Sequence, residues 1–361
     1  MTKVKRKMPK FYKVLIILVV FGILFTGIVL NFVWDYLSVY ERNLPKYVAR
    51  DVFAEYFESG DYSRLYSLYS ERLGPYEGEA EFEKYLNTLI GGGTLTDYEI
   101  TVADQSIRCF GLKSAGKKLA TLFLKKSAKD PGWGQTLWEF DRIELEDFPT
   151  ASVKVRTVSD STLLINGREV ARNSVIESGI ETESCAFMPE GVDGLTFTVY
   201  QIDGLITEPE IACLNKYGDL AIPAYDMGTE MFIETVTYDE RLASEYTDLA
   251  VEAQQTYQRY LTNDASSSDV RKYFDADSVF YKSLMHTSTV WYAAHIGHSY
   301  KDEAVGEFYS YGDKVFSCRY VGTQIITRTK TDIRYFDLDC VMYFRLVDGA
   351  WKVYSLDFKQ D

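Results

Sequence analysis

The sequence lacks the motifs that mark the commoner catalytic and redox centres. Its five cysteines form no CxxC pair, which argues against a zinc ribbon or a thioredoxin-like redox site. No glycine cluster lies between a predicted strand and a helix, as a phosphate-binding loop requires. An SxxK motif at Ser114 and Lys117 falls in a predicted turn, and no KTG motif follows it. We therefore expect neither a phosphate-binding loop nor transpeptidase activity.

Basic residues are scarce outside the N-terminus. The chain has 39 Lys and Arg against 53 Asp and Glu, and six of the basic residues precede position 14. Such an acidic remainder disfavours nucleic acid and anionic lipid surfaces as partners. Hydrophobic residues make up 46% and aromatic residues 15% of the chain, including 28 Tyr, which predicts sheet-rich globular domains.

Charge is absent altogether from residues 14–34. At about 1.5 Å per residue, a helix over this run crosses a hydrocarbon core of about 30 Å. Basic residues precede it, while Asp35 and Glu41 follow, so we expect a cytoplasmic N-terminus and an extracellular remainder. The run is too long for a signal-peptide core and no small-residue cleavage site follows it, which favours a retained single-pass anchor in the cell membrane.

The remaining pattern predicts an α+β fold. Helical periodicity begins at Pro45 and ends with a helix predicted over 79–90. Strands follow, the last of them predicted over 138–145, and this order recurs from Arg241 onward. Between them, short apolar runs alternate with predicted turns such as Asn166-Gly167 and Asp203-Gly204, which indicates an all-β module. The predicted segments are a cytoplasmic stub (residues 1–13), a transmembrane helix (14–34), a first domain (35–148), the β module (149–238) and a second domain (239–361).

Two parts of the chain resemble the nuclear transport factor 2-like fold, a cone of helices on a bent antiparallel sheet. The first likeness lies in YVARDVFAEYFESGDYSRLYSL (residues 47–68) and WEFDRIELE (138–146), and the second in residues 249–274 and YFRLVDGAWKVYSLDF (343–358). The first part also looks like the membrane-proximal, non-catalytic domain of resistance-type penicillin-binding proteins. The middle block resembles β modules of Gram-positive cell-surface proteins.

Added to the transmembrane helix inferred above, these resemblances imply two cone-shaped domains flanking a small all-β module. The family ranges from small-molecule enzymes to pure binding domains, and its cone often encloses a pocket. Function must therefore be argued from the site.

The three histidines of the chain, His286, His295 and His298, lie within 13 positions. His295 and His298 would share one face of a helix, and could hold zinc together with His286 or Asp302. With Trp291 and Tyr292 they could instead line an aromatic ligand pocket. We expect Trp291, Tyr292, His295 and His298 to be ligand-binding residues, with the metal site as the weaker interpretation. No cofactor and no catalytic residue are predicted.

Two cysteines are predicted to face each other in a hairpin. Strands over residues 314–326 and 332–347, with a turn centred on Thr329, place Cys318 opposite Cys340. We therefore predict a cross-strand disulfide between them. Cys185 and Cys213 are a second candidate pair, and Cys109 is expected to be a buried free thiol.

These observations favour a non-catalytic binding or scaffold protein, anchored in the lipid bilayer and exposed on the outside of a Gram-positive-type cell envelope. Its expected partner is an envelope protein or polymer. The alternative is a ligand sensor or enzyme that uses a pocket of the C-terminal domain near His286, His295 and His298.

Overall fold

The computed structural model describes residues 9–129, 136–146, 148, 150–287 and 294–359. It is a mixed α+β protein with one N-terminal apolar helix and several sheets. The chain divides into two compact units. Unit 1 comprises Met1–Ala151 and Gly204–Glu208, and unit 2 comprises Ser152–Asp203 and Pro209–Asp361. The middle β strands thus belong mainly to the same unit as the C-terminal helices and sheet.

The first helix, α1 (Lys10–Arg42), contains the uncharged run and continues beyond it. Among the described residues it is the one helix long and apolar enough to cross a membrane, and none of its residues is buried. Exposed rings lie near its two ends, with Phe11 and Tyr12 at the start and Trp34 farther along. The helix is therefore compatible with a membrane anchor.

Unit 1 continues with three further helices and a four-stranded sheet. The helices are α2 (Pro45–Phe53), extended by a π-helical turn over Ala54–Glu58, α3 (Ser63–Tyr69) and α4 (Glu79–Ile90). The strands are β1 (Leu95–Ile100), β2 (Ile107–Ser114), β3 (Lys117–Lys126) and β4 (Trp138–Leu145), all antiparallel and in chain order.

Apolar packing holds unit 1 together. Phe82 and Leu86 of α4 are buried in one cluster with Phe110 of β2 and Leu122 of β3. Gly111 of β2 faces Tyr98 of β1, and the Tyr98 ring lies 2.3 Å from where a Cβ at Gly111 would be. Because of this close approach, only glycine fits at that position without moving the ring.

Nine strands of the middle block form two sheets. They are β5 (Ala151–Val158), β6 (Thr162–Ile165), β7 (Arg168–Glu169), β8 (Val175–Glu181), β9 (Thr196–Leu205), β10 (Ile211–Leu214), β11 (Leu220–Ala221), β12 (Ala224–Asp226) and β13 (Met231–Ile233). One sheet has the order β11-β10-β6-β7 and the other β12-β13-β5-β9-β8.

Turn chemistry predicted one part of this block correctly and another wrongly. Asn166 and Gly167 have φ angles of 50° and 72° and join β6 to β7, which confirms the predicted tight turn. The turn predicted at Asp203-Gly204 is wrong, because β9 runs through both residues to Leu205.

The C-terminal part of unit 2 repeats the order of helices followed by strands. Its elements are α5 (Glu240–Leu261), α6 (Ser267–Tyr273), α7 (Val279–Met285), β14 (Gly297–Ser310), β15 (Val315–Thr327), β16 (Ile333–Val347) and β17 (Ala350–Phe358). The four strands are antiparallel and in chain order. The pairing of β14 with β15 shifts twice, at bulges where Asp302 and Glu307 have positive φ angles, and such bulges bend a strand.

Aromatic rings fill the interior between these helices and the sheet. Phe316 and Phe344 stack with their centroids 4.7 Å apart, and Tyr246 and Trp351 contact Phe316. The other buried rings of this cluster are Tyr257, Phe274, Phe308 and Tyr320. These packed side chains fill the interior between the described helices and the sheet.

The predicted hairpin register is wrong by two residues. Cys318 faces Met342 and Cys340 faces Tyr320, because the loop closes between Arg328 and Asp332 and is centred on Lys330. The two cysteines are diagonal neighbours, at a spacing of about 7–8 Å between α-carbons, which is beyond the usual reach of a disulfide. All five cysteines are free thiols in the structure, and burial raises the pKa of Cys340 to about 12.

Candidate functional site

Asp264, His295 and His298 form a cluster of possible metal ligands in unit 2. The His295 Nε2 lies 3.0 Å and the His298 Nδ1 lies 3.4 Å from the same carboxylate oxygen, Asp264 Oδ2. One ligand atom from each residue lies within 4.8 Å of the other two. Among the described residues, it is the one group of three or more His, Cys, Asp or Glu side chains that is compact enough to hold an ion.

The carboxylate comes from the loop that follows α5. Asn263, in the left-handed conformation with φ of 66°, turns the chain as the helix ends. The Asp264 N–H donates to the Arg259 carbonyl at 2.7 Å, and the Thr262 hydroxyl donates to Asp264 Oδ2 at 2.6 Å. Helix-end geometry and a neighbouring hydroxyl thus fix the direction of the carboxylate.

The two histidines come from the start of the last sheet. His298 is the second residue of β14 and pairs with Ile326 of β15. Ile296, between the histidines, donates its N–H to the Thr327 carbonyl at 2.8 Å, so the approach to the strand is also anchored. The prediction that His295 and His298 lie on a helix is therefore wrong, because an extended backbone brings them together.

The cluster is partly shielded from water. The His295 side chain is 5% exposed, the His298 side chain 25% and the Asp264 side chain 30%. Tyr300 lies beside it, with its ring centroid 5.9 Å from that of His298. Burial raises the pKa of Tyr300, and the nearby Glu303 and Asp264 carboxylates act in the same direction, while Arg259 opposes them. The cluster therefore has both carboxylates and an arginine nearby, and two of its three side chains are partly exposed to solvent.

The other predicted site residues do not join this cluster. His286 is exposed just after α7. The Asp302 side chain is 79% exposed, and its carboxylate lies 3.7 Å from Lys301 Nζ. Trp291 and Tyr292 fall outside the described residues, so their part in a ligand pocket stays a prediction. Asp264 was missed because 30 intervening residues separate it from His295, and no spacing rule connects them.

A second candidate site is a cleft of about 750 Å³ in unit 2. Its walls come from the end of β5, the chain that leads into β9, the turn after β10, the start of α5 and the turn after β14. Its charged lining residues are Asp160, Asp193, Lys216, Asp239, Arg241 and Asp313, and its aromatic ones are Tyr217, Tyr309 and Tyr311. Ligand sites commonly combine aromatic walls with placed polar groups, and this cleft has both, with more charged residues than rings.

Lys216 of the cleft contacts partners on three sides. Its ammonium lies 3.0 Å from Asp160 Oδ2, donates to the Ser310 carbonyl at 2.7 Å and sits 3.6 Å from the centroid of the Tyr309 ring. The Tyr309 hydroxyl donates to the same Asp160 oxygen at 3.1 Å. Burial lowers the pKa of Lys216, while Asp160 and Asp239 oppose that shift. The amine is held by partners on several sides, which suits a fixed binding group better than a free nucleophile.

No motif in the sequence predicted this cleft. Lys216 lies in the short turn between β10 and β11, where the Asn215 side chain accepts hydrogen bonds from the Tyr217 and Asp219 N–H groups. A turn signal is visible in the sequence at this position, but the approach of Asp160 and Tyr309 is a property of the fold.

The SxxK motif has a structural role. Ser114 ends β2 and Lys117 begins β3, with Ala115 and Gly116 in the left-handed region between them, which confirms the predicted turn. The Ser114 hydroxyl donates to the Ile90 carbonyl at the end of α4, at 2.6 Å. This serine fastens a helix end to the sheet.

The chain matches no protein-family model, and a search of curated proteins finds no match either. What the protein does is therefore inferred from the fold and from these two sites.

Proposed function

We propose that this protein is a membrane-anchored, extracytoplasmic binding protein of a Gram-positive-type cell envelope, and that it holds its ligand in the cleft around Lys216. The observation that carries the proposal is α1, a 33-residue helix without a single buried residue. A helix whose apolar side chains are all exposed is unfavourable in water. A lipid bilayer surrounds these side chains with hydrocarbon, while the helix satisfies its own backbone hydrogen bonds. The basic residues before it favour a cytoplasmic N-terminus, with both units outside.

A non-catalytic role is supported by the way the interiors are filled. Aromatic and aliphatic side chains pack the core of unit 1 and the C-terminal core of unit 2. In each, helices are followed by a four-stranded antiparallel sheet, and we propose that both sets are nuclear transport factor 2-like domains flanking a β module. Cones packed in this way serve as rigid supports rather than as reaction chambers.

The cleft favours a neutral or cationic ligand. Four carboxylates line it against two cations, Lys216 and Arg241, so an anionic polymer would meet net repulsion. Tyrosine rings offer flat apolar faces and hydroxyls, which suits a sugar-rich chain. We propose the neutral glycan of the cell wall as the ligand.

The anchor and its orientation can be tested on intact cells. Full-length chain with an epitope tag at either end is expressed in a Gram-positive host, and antibody binding is measured before and after permeabilisation. We expect the C-terminal tag to be accessible at once, the N-terminal tag only after permeabilisation, and the chain to stay with the membrane in alkaline carbonate. A reversed pattern, or release by carbonate, would overturn the anchor.

The cleft is tested separately by cosedimentation with purified cell-wall sacculi stripped of anionic polymers. We expect the detergent-solubilised full-length chain to cosediment, and Lys216→Met to lower the bound fraction at least tenfold. The control is Lys154→Met, which removes an exposed lysine of β5 from the same unit. Circular dichroism checks that both variants fold. Equal binding by the two variants, or no binding by the wild type, would contradict the ligand assignment.

A ligand sensor or enzyme near the histidines remains the second candidate function. The observation that favours it is the convergence of His295 and His298 on Asp264.

A further inference from the structure

We infer that Asp264, His295 and His298 form a binding site for one divalent transition-metal ion of the zinc class. This inference goes beyond the proposed binding function and does not depend on the cleft around Lys216. It commits to a ligand set that includes Asp264 and leaves out His286 and Asp302.

The donor set suits this class of ion. Two imidazole nitrogens and one carboxylate oxygen are common zinc ligands, and three protein ligands leave a fourth position for water or another ligand. Imidazole donors also distinguish such a site from the all-oxygen sites that magnesium and calcium prefer.

The spacing of the ligand atoms is close to that of a tetrahedral site. With metal–ligand bonds of about 2.0–2.1 Å, ligand atoms at two corners of a tetrahedron lie about 3.4 Å apart. In the structure, His295 Nε2 lies 3.0 Å from Asp264 Oδ2, and His298 Nδ1 lies 3.4 Å from the same oxygen. One ligand atom from each of the three residues lies within 4.8 Å of the other two, which is compact enough for a single ion.

Hydrogen bonding alone explains the convergence less well. A carboxylate oxygen offers about two lone-pair directions. The Thr262 hydroxyl already donates to Asp264 Oδ2 at 2.6 Å, so the two imidazoles must share what remains of that oxygen. An ion between the three residues removes this crowding, because each imidazole then directs a lone pair at the metal.

The surrounding structure holds the ligands in place. Thr262 orients the carboxylate, the Asp264 N–H is fixed by the Arg259 carbonyl, and His298 is held by its strand pairing. Outer hydrogen bonds of this kind strengthen a metal site by orienting its ligands. The ion would thereby join the loop after α5 to the start of β14.

Metal titration of the full-length chain in detergent micelles tests this site. The protein is purified without a histidine tag, stripped with a chelator and dialysed, then titrated with zinc chloride by calorimetry and with cobalt chloride by visible absorption. We expect one zinc ion per chain, and cobalt absorption bands of the intensity typical of four-coordinate sites.

The variants are chosen so that folding and binding can be separated. His298→Ala and the isosteric Asp264→Asn each remove a direct ligand and are expected to weaken zinc binding at least 100-fold. His286→Ala is the matched control, because it removes the exposed histidine outside the cluster, and it should stay within twofold of the wild type. Circular dichroism confirms the fold of each variant.

Two results would overturn the site. One is the absence of saturable zinc binding by the wild type, which would leave the cluster as a purely hydrogen-bonded one. The other is an equal loss in His286→Ala and His298→Ala. Lys216→Met should bind zinc normally, so failure of the cleft proposal and failure of the metal site give different results.

Discussion

The helices and sheet of unit 1 and those at the C-terminal end of unit 2 share an order of elements but differ in their interiors. In unit 1, α2–α4 precede β1–β4, and the core is almost wholly apolar. The C-terminal set, α5–α7 with β14–β17, also buries many polar side chains, which are Asp239, Gln254, Thr256, Gln258, Thr262, Asp275, Ser278, Ser317 and Gln324. The first set shows that apolar packing is enough for this arrangement, so the polar groups of the second call for a separate explanation.

The two sets also differ in how their arginine ion pairs connect the strands. In unit 1, Arg142 pairs with Asp141 and Glu144 of its own strand, on an exposed face. In unit 2, Arg319 of β15 makes two hydrogen bonds to Asp339 of β16, at 2.8 and 2.6 Å, and a third to Glu307 of β14. One arginine thus ties three strands together. Ion pairs between elements also occur in unit 1, where Arg50 of α2 lies 3.5 Å from Asp97 of β1, but each joins only two elements.

The largest expected effect tests whether each set has its own core. Phe82→Ala in unit 1 and Phe344→Ala in unit 2 each delete a fully buried ring, at a cost of about 3–5 kcal/mol. We expect each variant to destabilise its own unit only, as measured by segment-resolved hydrogen–deuterium exchange. An equal loss of protection in both units for either variant would show that they unfold together.

The next effect compares a buried with an exposed arginine pair. Arg345 pairs with Asp275, whose side chain is 2% exposed, so Arg345→Met leaves a buried carboxylate without its cation. We expect a loss of about 2–3 kcal/mol in the free energy of unfolding. Arg142→Met, at an exposed pair, should cost about 1 kcal/mol or less.

Urea unfolding followed by the same exchange measurement gives both values. The double variant Arg345→Met/Asp275→Asn should recover part of the loss, because the buried charge is then removed. If Arg345→Met and Arg142→Met lower the free energy of unfolding equally, the proposed difference between buried and surface ion pairs is wrong.

The smallest effect is the pH dependence of the free energy of unfolding. Its sign differs between the Asp339 carboxyl of unit 2 and the Glu77 carboxyl of unit 1. Hydrogen bonds from Arg319 lower the pKa of Asp339, so its contribution to stability is present above the unfolded pKa and is lost as pH falls through the folded value. Burial raises the pKa of Glu77, so its contribution is full below the unfolded pKa and is lost as pH rises through the folded value.

Variants separate these two contributions. Asp339→Asn should cost about 0.5–1 kcal/mol at pH 7, since the pair is partly exposed, and almost nothing near pH 2. Glu77→Gln should instead gain stability relative to the wild type as pH rises from 4 to 7. The measurement is urea unfolding at several pH values, and pH trends of the same sign in both variants would contradict the assignment.

Sequence reasoning succeeded where local pattern is strong. The predicted bounds of α4 and β4 match the structure, because a clear helical stripe ends at Gly91 and an aromatic run begins at Trp138. The seven-residue helix α7 was missed, since so short an element carries little periodicity. The β15–β16 register was misjudged by two residues, because hydrogen bonds within the loop, between Arg328 and Asp332, decide where the hairpin closes.

The candidate sites were harder to predict from the sequence than the fold was. Proximity of three histidines along the chain was enough to single out His295 and His298. Asp264 and the Asp160–Lys216–Tyr309 cluster depend on contacts between distant segments, which no local pattern encodes.

The junction between α1 and α2 has a consequence for how the protein can move. Only Asn43 and Leu44 separate the two helices, and two extended residues span about 7 Å at most. With α1 in a bilayer, so short a tether leaves unit 1 little freedom to reach away from the lipid. Encounters with any immobile envelope component then depend on lateral diffusion of the whole molecule, and their rate follows its surface density rather than its concentration in a volume.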